Sequence, residues 1–118
     1  MEIQSAEQLV QGQCRPIEGQ SGLYSEEQAL AQLARLKDWY LVPDGQKIRR
    51  DYTAKNFLAG LKFFDEVAIL AEVENHHPDL HLVGYRNLSI ELWTHTIGGL
   101  SVNDFILAAK INGLEHSH

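Results

Sequence analysis

The chain has 118 residues, of which 44% are hydrophobic and 22% charged, and its formal net charge is −6 at pH 7. This length favours one domain that buries roughly two thirds of the surface its unfolded chain exposes. The negative charge argues against direct binding to nucleic acid or to an anionic membrane surface, and no apolar run approaches the ~20 residues of a membrane-spanning helix.

The two ends of the chain and its single cysteine indicate the cellular compartment of the protein. Cys14 has no cysteine partner, so neither an internal disulfide nor a cysteine metal cage can form. The first residues lack the charged-then-apolar order of a signal peptide and carry too many acids for a transit peptide. We therefore expect a cytoplasmic protein. The C-terminal residues are interpreted as a frayed tail, so His116 and His118 are excluded from the predicted chemistry.

The N-terminal part divides into an extension and the start of a domain. Residues 1–22 are polar and lack a clear period, which predicts an N-terminal extension with at most a short helix over residues 5–11. The domain is predicted over residues 23–114. Ser25 followed by Gln28 is typical of a capping box. The apolar residues that follow fit one face of a helix, and they are Leu30, Leu33, Ala34 and Leu36.

A hairpin follows this helix. Residues 39–42 are apolar, Pro43-Asp44-Gly45 favours a turn, and residues 47–52 alternate as in a strand. The basic run at residues 47–50 is interpreted as a solvated strand edge.

The longest predicted element is a helix over residues 54–75. Thr53 is a good N-cap, and Pro78 prevents a simple continuation beyond the predicted end. Apolar residues recur at helical spacing and predict the buried face. They are Phe57, Leu61, Phe64, Ala68 and Ala71, with Leu58 and Ile69 broadening the stripe.

Two strands and a last helix complete the chain. The strands are predicted over residues 80–85 and 88–95, and Gly98-Gly99 favours a tight turn before a helix that opens at Ser101. We expect residues 88–93 to form an exposed strand edge that another copy of the chain covers. The order α-β-β-α-β-β-α predicts an α+β fold, a four-stranded antiparallel sheet with helices packed on one face.

Three histidines near the third and fourth strands suggest proton-transfer chemistry. His76 and His77 lie where the long helix ends, and His95 lies at the end of the last strand. Histidine is the side chain whose unperturbed pKa allows proton exchange near neutral pH. Glu72 and His76 are four residues apart, so a continuing helix would place the carboxylate where it orients that ring.

Other interpretations of these residues remain open. The three histidines fit an ordinary turn and strand end, and a zinc or iron site that uses Glu72 is a second alternative. Asp104 lies three residues after Ser101, so it can complete a capping pair at the last helix. Trp93 could stack on a flat heterocycle, although aromatic residues at strand ends more often serve packing.

The spacing of these residues resembles the motif of the pterin-4a-carbinolamine dehydratase family. That motif is a glutamate, three residues, His-His-Pro, an aromatic residue, a histidine and an aspartate. Its members here are Glu72, His76, His77, Pro78, Tyr85, His95 and Asp104. The resemblance extends from about residue 25 to residue 112.

The resemblance implies a fold, a reaction and residue roles. It implies dehydration of a 4a-hydroxytetrahydropterin to a quinonoid dihydropterin, without a metal or organic cofactor, in a homodimer or homotetramer. The candidate catalytic residues that it implies are His76, His77, His95 and Glu72. His76 and His95 would be the acid–base pair, His77 would hold and orient the pterin, and Glu72 would polarise or orient the histidines. Trp93, Thr94 and Asp104 are the further candidate substrate-binding residues.

A rival function comes from the same resemblance. Some relatives act without catalysis, as assembly factors for Rubisco or as a dimerisation cofactor of a transcription factor. The histidine set tends to be degraded in the assembly-factor relatives and is whole in this chain, which favours the enzyme over a binding or assembly protein.

Overall fold

The computed structural model describes residues 2–114. It contains four helices, α1 (Ala6–Gln11), α2 (Glu26–Leu33), α3 (Phe57–Glu74) and α4 (Val102–Asn112), and four strands, β1 (Tyr40–Leu41), β2 (Ile48–Thr53), β3 (Asp79–Val83) and β4 (Asn87–Leu92). Two 3-10 turns lie at Gln20–Gly22 and His95–Ile97. The predicted α+β class and element order are confirmed. None of the helices described is both long and apolar enough to span a membrane.

The four strands form one antiparallel sheet in the order β1-β2-β4-β3. Ile90 in β4 lies between Arg50 of β2 and Leu80 of β3, so β4 is hydrogen-bonded on both sides. The prediction of an exposed edge at residues 88–93 is therefore wrong, and so is the solvated edge at residues 47–50. The last strand, β4, inserts between β2 and β3, and the order of strands along the sequence does not reveal this order in the sheet.

The two faces of the sheet differ in polarity. The helix-covered face carries fully buried apolar residues of β2 and β4, namely Ile48, Leu88, Ile90 and Leu92. These side chains pack with Phe63, Val67 and Phe105 from the helices. The opposite face carries Arg49, which binds Asp51, Ser89 and Glu91. Apolar burial on one face and a polar network on the other fix the register of the strands.

The helix α3 differs from its prediction at the start and in its buried face. Its N-cap is Asn56, whose Oδ1 accepts from the Ala59 amide at 2.8 Å, whereas Thr53 belongs to β2. The buried residues are Gly60, Phe63, Val67, Ala71 and Glu74, and of these only Ala71 belongs to the predicted stripe. Leu58, Ile69 and Val73 are exposed by 60% or more. Apolar residues of α3 occur on all sides of the helix, so their spacing in the sequence did not identify the face that is buried.

The N-terminal extension packs against the last helix. α1 contacts α4, and Leu9 of α1 is fully buried. Burying such a side chain stabilises the fold by about 1.5–3 kcal/mol. Gly12 follows α1, and a Cβ atom there would lie 3.2 Å from the Ile106 side chain. Contacts between the extension and α4 therefore cross the predicted domain boundary at residue 23. The boundary itself stays a prediction.

Candidate functional site: a histidine-lined cavity

The end of α3 sets the directions of the first two histidines. Asn75 caps the helix with a left-handed backbone, at φ 53°, a conformation that asparagine adopts more readily than most residues. The His76 amide still bonds to the Ala71 carbonyl at 3.2 Å, and β3 begins at Asp79. His76 and His77 therefore occupy the short link between helix and strand, and their rings point to different surroundings.

His76 is paired with a buried carboxylate. Its Nε2 lies 2.6 Å from Asp104 Oδ1, with 11% of the His76 side chain and none of the Asp104 side chain exposed. Because an ionised carboxylate can only accept, the proton in this bond belongs to Nε2. The other ring nitrogen, Nδ1, is then the atom that can exchange a proton with a ligand.

Asp104 is held by further hydrogen bonds. Its Oδ2 accepts from the Thr94 hydroxyl at 2.8 Å and from the Ser101 amide at 3.0 Å. The Ser101 bond is part of the predicted capping box of α4, which is confirmed. Asp104 thus serves both as a helix cap and as the partner of His76. The capping pattern in the sequence predicted the first role but not the second.

His77 has a separate and more exposed carboxylate partner. Its Nε2 lies 2.5 Å from Glu72 Oε2, with 58% of the His77 side chain and 75% of the Glu72 side chain exposed. The sequence predicted that Glu72 would reach His76. That pairing is wrong, because the helix ends at Glu74 and the left-handed Asn75 redirects the chain.

His95 lies beyond the end of β4 rather than within it. β4 ends at Leu92, Thr94 forms an isolated bridge with Gly99, and His95 opens a 3-10 turn. The His95 ring packs on Trp93 with centroids 4.1 Å apart and planes tilted by 30°. Gly98 has φ 65° and closes the predicted tight turn.

The three histidines line one cavity of about 430 Å³, within the range of small-molecule sites. The lining residues C-terminal to residue 22 include Glu74, His76, His77, Thr94, His95 and Asn103. Among the predicted site residues, Glu72, Trp93 and Asp104 are not part of the lining; each contacts a histidine instead. Within residues 2–114, no group of three His, Cys, Asp or Glu side chains is placed to hold a metal ion.

A further wall of the cavity comes from residues that the sequence prediction missed. Cys14, Arg15, Pro16 and Ile17 of the N-terminal extension line it as well. The extension lacks periodicity, so no sequence pattern placed it near the histidines. The only signal was chemical, a cysteine, an arginine and a proline together in an otherwise polar segment.

The electrostatics beside this wall centre on Glu74, which is 9% exposed. Burial opposes ionisation of this carboxylate, but bonds from the Cys14 amide and from Lys110 Nζ outweigh burial and lower its pKa. The pKa of the Cys14 thiol is raised to about 12, first by burial and then by the Glu74 charge. Cys14 is therefore an uncharged thiol at neutral pH.

The comparisons with known proteins identify the family of this chain. A family model described as pterin 4 alpha carbinolamine dehydratase matches residues 22–114. Over 93 residues the chain is 53% identical to pterin-4-alpha-carbinolamine dehydratase 2, mitochondrial, of Arabidopsis thaliana, covering 77% of this chain and 50% of that protein. It is 41% identical over 106 residues to a putative pterin-4-alpha-carbinolamine dehydratase of Dechloromonas aromatica, covering 90% and 92%. The chain thus spans half the length of the Arabidopsis protein.

A solved structure shares the fold. The crystal structure of a transcriptional coactivator/pterin dehydratase from Brucella melitensis superimposes with a TM-score of 0.72 at 27% identity, covering 78% of this chain and 97% of that one. Fold and site together define an α+β protein with a histidine-lined cavity of the size that small-molecule sites have. The chain belongs to the pterin-4-alpha-carbinolamine dehydratase family, a family of hydro-lyases, and the resemblance noted in the sequence is confirmed.

Proposed function

We propose that this protein dehydrates 4a-hydroxytetrahydropterins to quinonoid dihydropterins and water, by histidine acid–base catalysis in the recycling of tetrahydrobiopterin. In this reaction the C4a–O bond breaks and the oxygen leaves as water after accepting a proton. N5 loses its proton, and its electron pair forms the C4a=N5 double bond. The reaction therefore needs one general acid and one general base from the protein, both within reach of the same pterin ring.

The proposed roles follow the surroundings of each histidine. His76 and His95 are the acid–base pair, and the ring of His76 is oriented through Nε2 by Asp104. His77 holds the pterin, and Glu72 orients His77. A positioned acid or base contributes about 10²–10⁴-fold to a rate.

Thr94 is a proposed substrate contact from the cavity wall, because it lines the cavity and also binds Asp104. Trp93 and Asp104, predicted as substrate-binding residues, are proposed to act through the histidines that they touch. The proposal includes no metal or organic cofactor.

One observation carries the proposal. Three imidazoles from two separate parts of the chain, the end of α3 and the turn after β4, line the same cavity. Histidines that served only as ordinary turn or strand-end residues would not be expected to line the same cavity. A cavity with several titratable groups able to exchange protons is the expected form of an acid–base site.

The decisive experiment measures dehydration of chemically generated carbinolamine by the purified chain. The wild type should exceed the spontaneous rate by orders of magnitude. A variant with both His76→Ala and His95→Ala should lose most of this activity while remaining folded, as a cooperative thermal transition would show, although its melting temperature should fall because Asp104 loses a buried partner. A wild-type rate equal to the spontaneous rate would refute the proposed enzymatic activity. It would favour the alternative function, that of a protein of the same fold that binds or assembles partners without catalysis.

We also propose a homodimer or homotetramer in the cytoplasm, with no direct nucleic-acid or membrane partner. Support for self-association comes from α3, where Leu58, Ile69 and Val73 expose apolar surface on the same element. Sedimentation at micromolar concentration should give at least a dimer, and a monomer would contradict the proposal. The word mitochondrial in the name of the Arabidopsis relative makes localisation a separate test, by fractionation of cells that express the chain.

A further inference from the structure

A short segment of the N-terminal extension closes one side of the histidine cavity. We call residues 14–17 the strap, since all four of them line the cavity. The family match begins at residue 22, so the strap lies outside the matched region. Its position beside the histidines makes it a candidate determinant of what the cavity binds.

The strap is fixed by hydrogen bonds along its backbone. The Cys14 amide donates to Glu74 Oε1 at 2.8 Å. The Arg15 amide donates to Asn103 Oδ1 at 3.1 Å, and Asn103 Nδ2 donates back to the Arg15 carbonyl at 2.6 Å. Asn103 is only 5% exposed, so its side chain is a buried clamp on Arg15. The backbone of Arg15 is therefore held, while its side chain remains available for another role.

The anchors of the strap are neighbours of the site residues. At its far end, the Thr96 hydroxyl donates to the Ile17 carbonyl at 3.3 Å. Every anchor lies within two residues of a residue of the site, in the pairs Glu74 and His76, Asn103 and Asp104, and Thr96 and His95. The strap and the histidines are thus positioned by the same short stretches of chain.

Arg15 brings an uncompensated positive charge to the cavity. Arg15 is an exposed residue of the cavity lining. Among residues 2–114, no side chain or backbone group forms a hydrogen bond or ion pair with its guanidinium. The nearby carboxylate of Glu74 is already bound to Lys110 Nζ at 2.7 Å. In a chain with net charge −6, a cation left free at the rim of a cavity favours an anionic ligand group.

We propose that Arg15 is a substrate-selecting residue, which binds an anionic group carried by the substituent of the pterin ring. This inference rests on the proposed function, because it assumes that the ring itself lies among the histidines. A substituent on that ring would then extend toward the rim, where the strap presents Arg15. Guanidinium groups bind phosphate and carboxylate through paired hydrogen bonds, so either anion fits this chemistry.

The experiment compares three 7,8-dihydropterins as ligands of the full chain. Their substituents are a neutral dihydroxypropyl group, a phosphorylated polyol and a benzoylglutamate. Dissociation constants are measured for the wild type, for Arg15→Gln and for the matched control Arg35→Gln. Arg35 is an exposed arginine outside the cavity lining, so its replacement removes the same charge elsewhere.

We expect the wild type to bind at least one anionic pterin about tenfold more tightly than the neutral one, as a charge-assisted contact allows. Arg15→Gln should abolish that preference and leave the neutral affinity within about twofold, whereas Arg35→Gln should keep it. The preference should also decline as salt is added, since the contact is partly exposed. The two anionic ligands distinguish a phosphate from a carboxylate as the group recognised.

Equal wild-type affinities for all three pterins would overturn the inference, and so would a preference that survives in Arg15→Gln. The same preparations are assayed for dehydration of the neutral carbinolamine. Normal turnover without an anionic preference would refute the role of Arg15 alone. Failure to turn over or bind any pterin would refute the proposed function and this inference with it.

Discussion

His76 and His77 are adjacent in sequence, and each bonds through Nε2 to a carboxylate, yet their surroundings are opposite. The pair of His76 and Asp104 is buried, and Asp104 accepts two further hydrogen bonds. The pair of His77 and Glu72 stands largely in solvent. Exposed ion pairs contribute about 0–1 kcal/mol, whereas a buried carboxylate with several donors holds its partner in one orientation. Burial, not the mere presence of a carboxylate, decides which histidine is fixed.

The largest expected effect is that of breaking the buried pair. Asp104→Asn keeps the shape of the side chain but removes the charge, and the amide can donate to His76 Nε2 and impose the other tautomer. We expect kcat to fall by about 10²–10⁴-fold. The melting temperature should fall as well, because the Ser101 cap and the Thr94 bond lose a charged acceptor. Near-normal kcat would contradict the role given to the buried pair.

The two histidines should differ when each is replaced in the same way. His76→Gln should act mainly on kcat, whereas His77→Gln should act mainly on KM, by about tenfold for one lost ligand hydrogen bond. Steady-state kinetics on both variants separates the two constants. Equal losses of kcat in the two variants would show that burial does not divide their roles.

The exposed carboxylate gives a smaller effect. Glu72→Gln removes a solvent-screened partner of His77, so kcat/KM should fall by about threefold or less. Raising the salt concentration should narrow the difference from wild type further. A loss as large as that of Asp104→Asn would place Glu72 in the catalytic machinery and reverse the comparison.

Glu74 provides a buried carboxylate that binds the strap instead of a histidine. Because its pKa is lowered in the folded state, its stabilisation is present above its ordinary value of 4.5 and is lost as the pH falls below that value. Glu74→Gln should therefore reduce the free energy of unfolding by about 1–3 kcal/mol at neutral pH. Urea unfolding from pH 6 down to pH 3 should show this difference shrinking. A difference independent of pH would exclude the charge of Glu74 as its cause.

The sequence predicted local structure better than the partners within the site. The capping boxes at Ser25 and Ser101 depend on residues three apart, and both are present as predicted. His76, His77 and His95, which the resemblance assigned to one pterin ligand, line one cavity. The partner of Glu72 was not predicted, because the left-handed conformation of Asn75 is a backbone choice that side-chain spacing does not encode.

Longer-range features had no local signal. The buried face of α3 depends on which apolar residues meet the sheet, and Phe57 and Phe63 are equally apolar although only Phe63 is buried. The strap depends on contacts between residues about 60 and 88 positions apart, such as Cys14 with Glu74 and Arg15 with Asn103. Tertiary packing decides both, and no short motif records it.

The most direct test of the account is the tautomer of His76, measured by ¹⁵N NMR of the imidazole nitrogens at about pH 8, above the ordinary pKa of histidine. The account predicts a proton on Nε2 and a lone pair on Nδ1, with this state lost in Asp104→Asn and kept in Glu72→Gln. A proton on Nδ1 in the wild type, or a ring that exchanges freely between both tautomers, would contradict it.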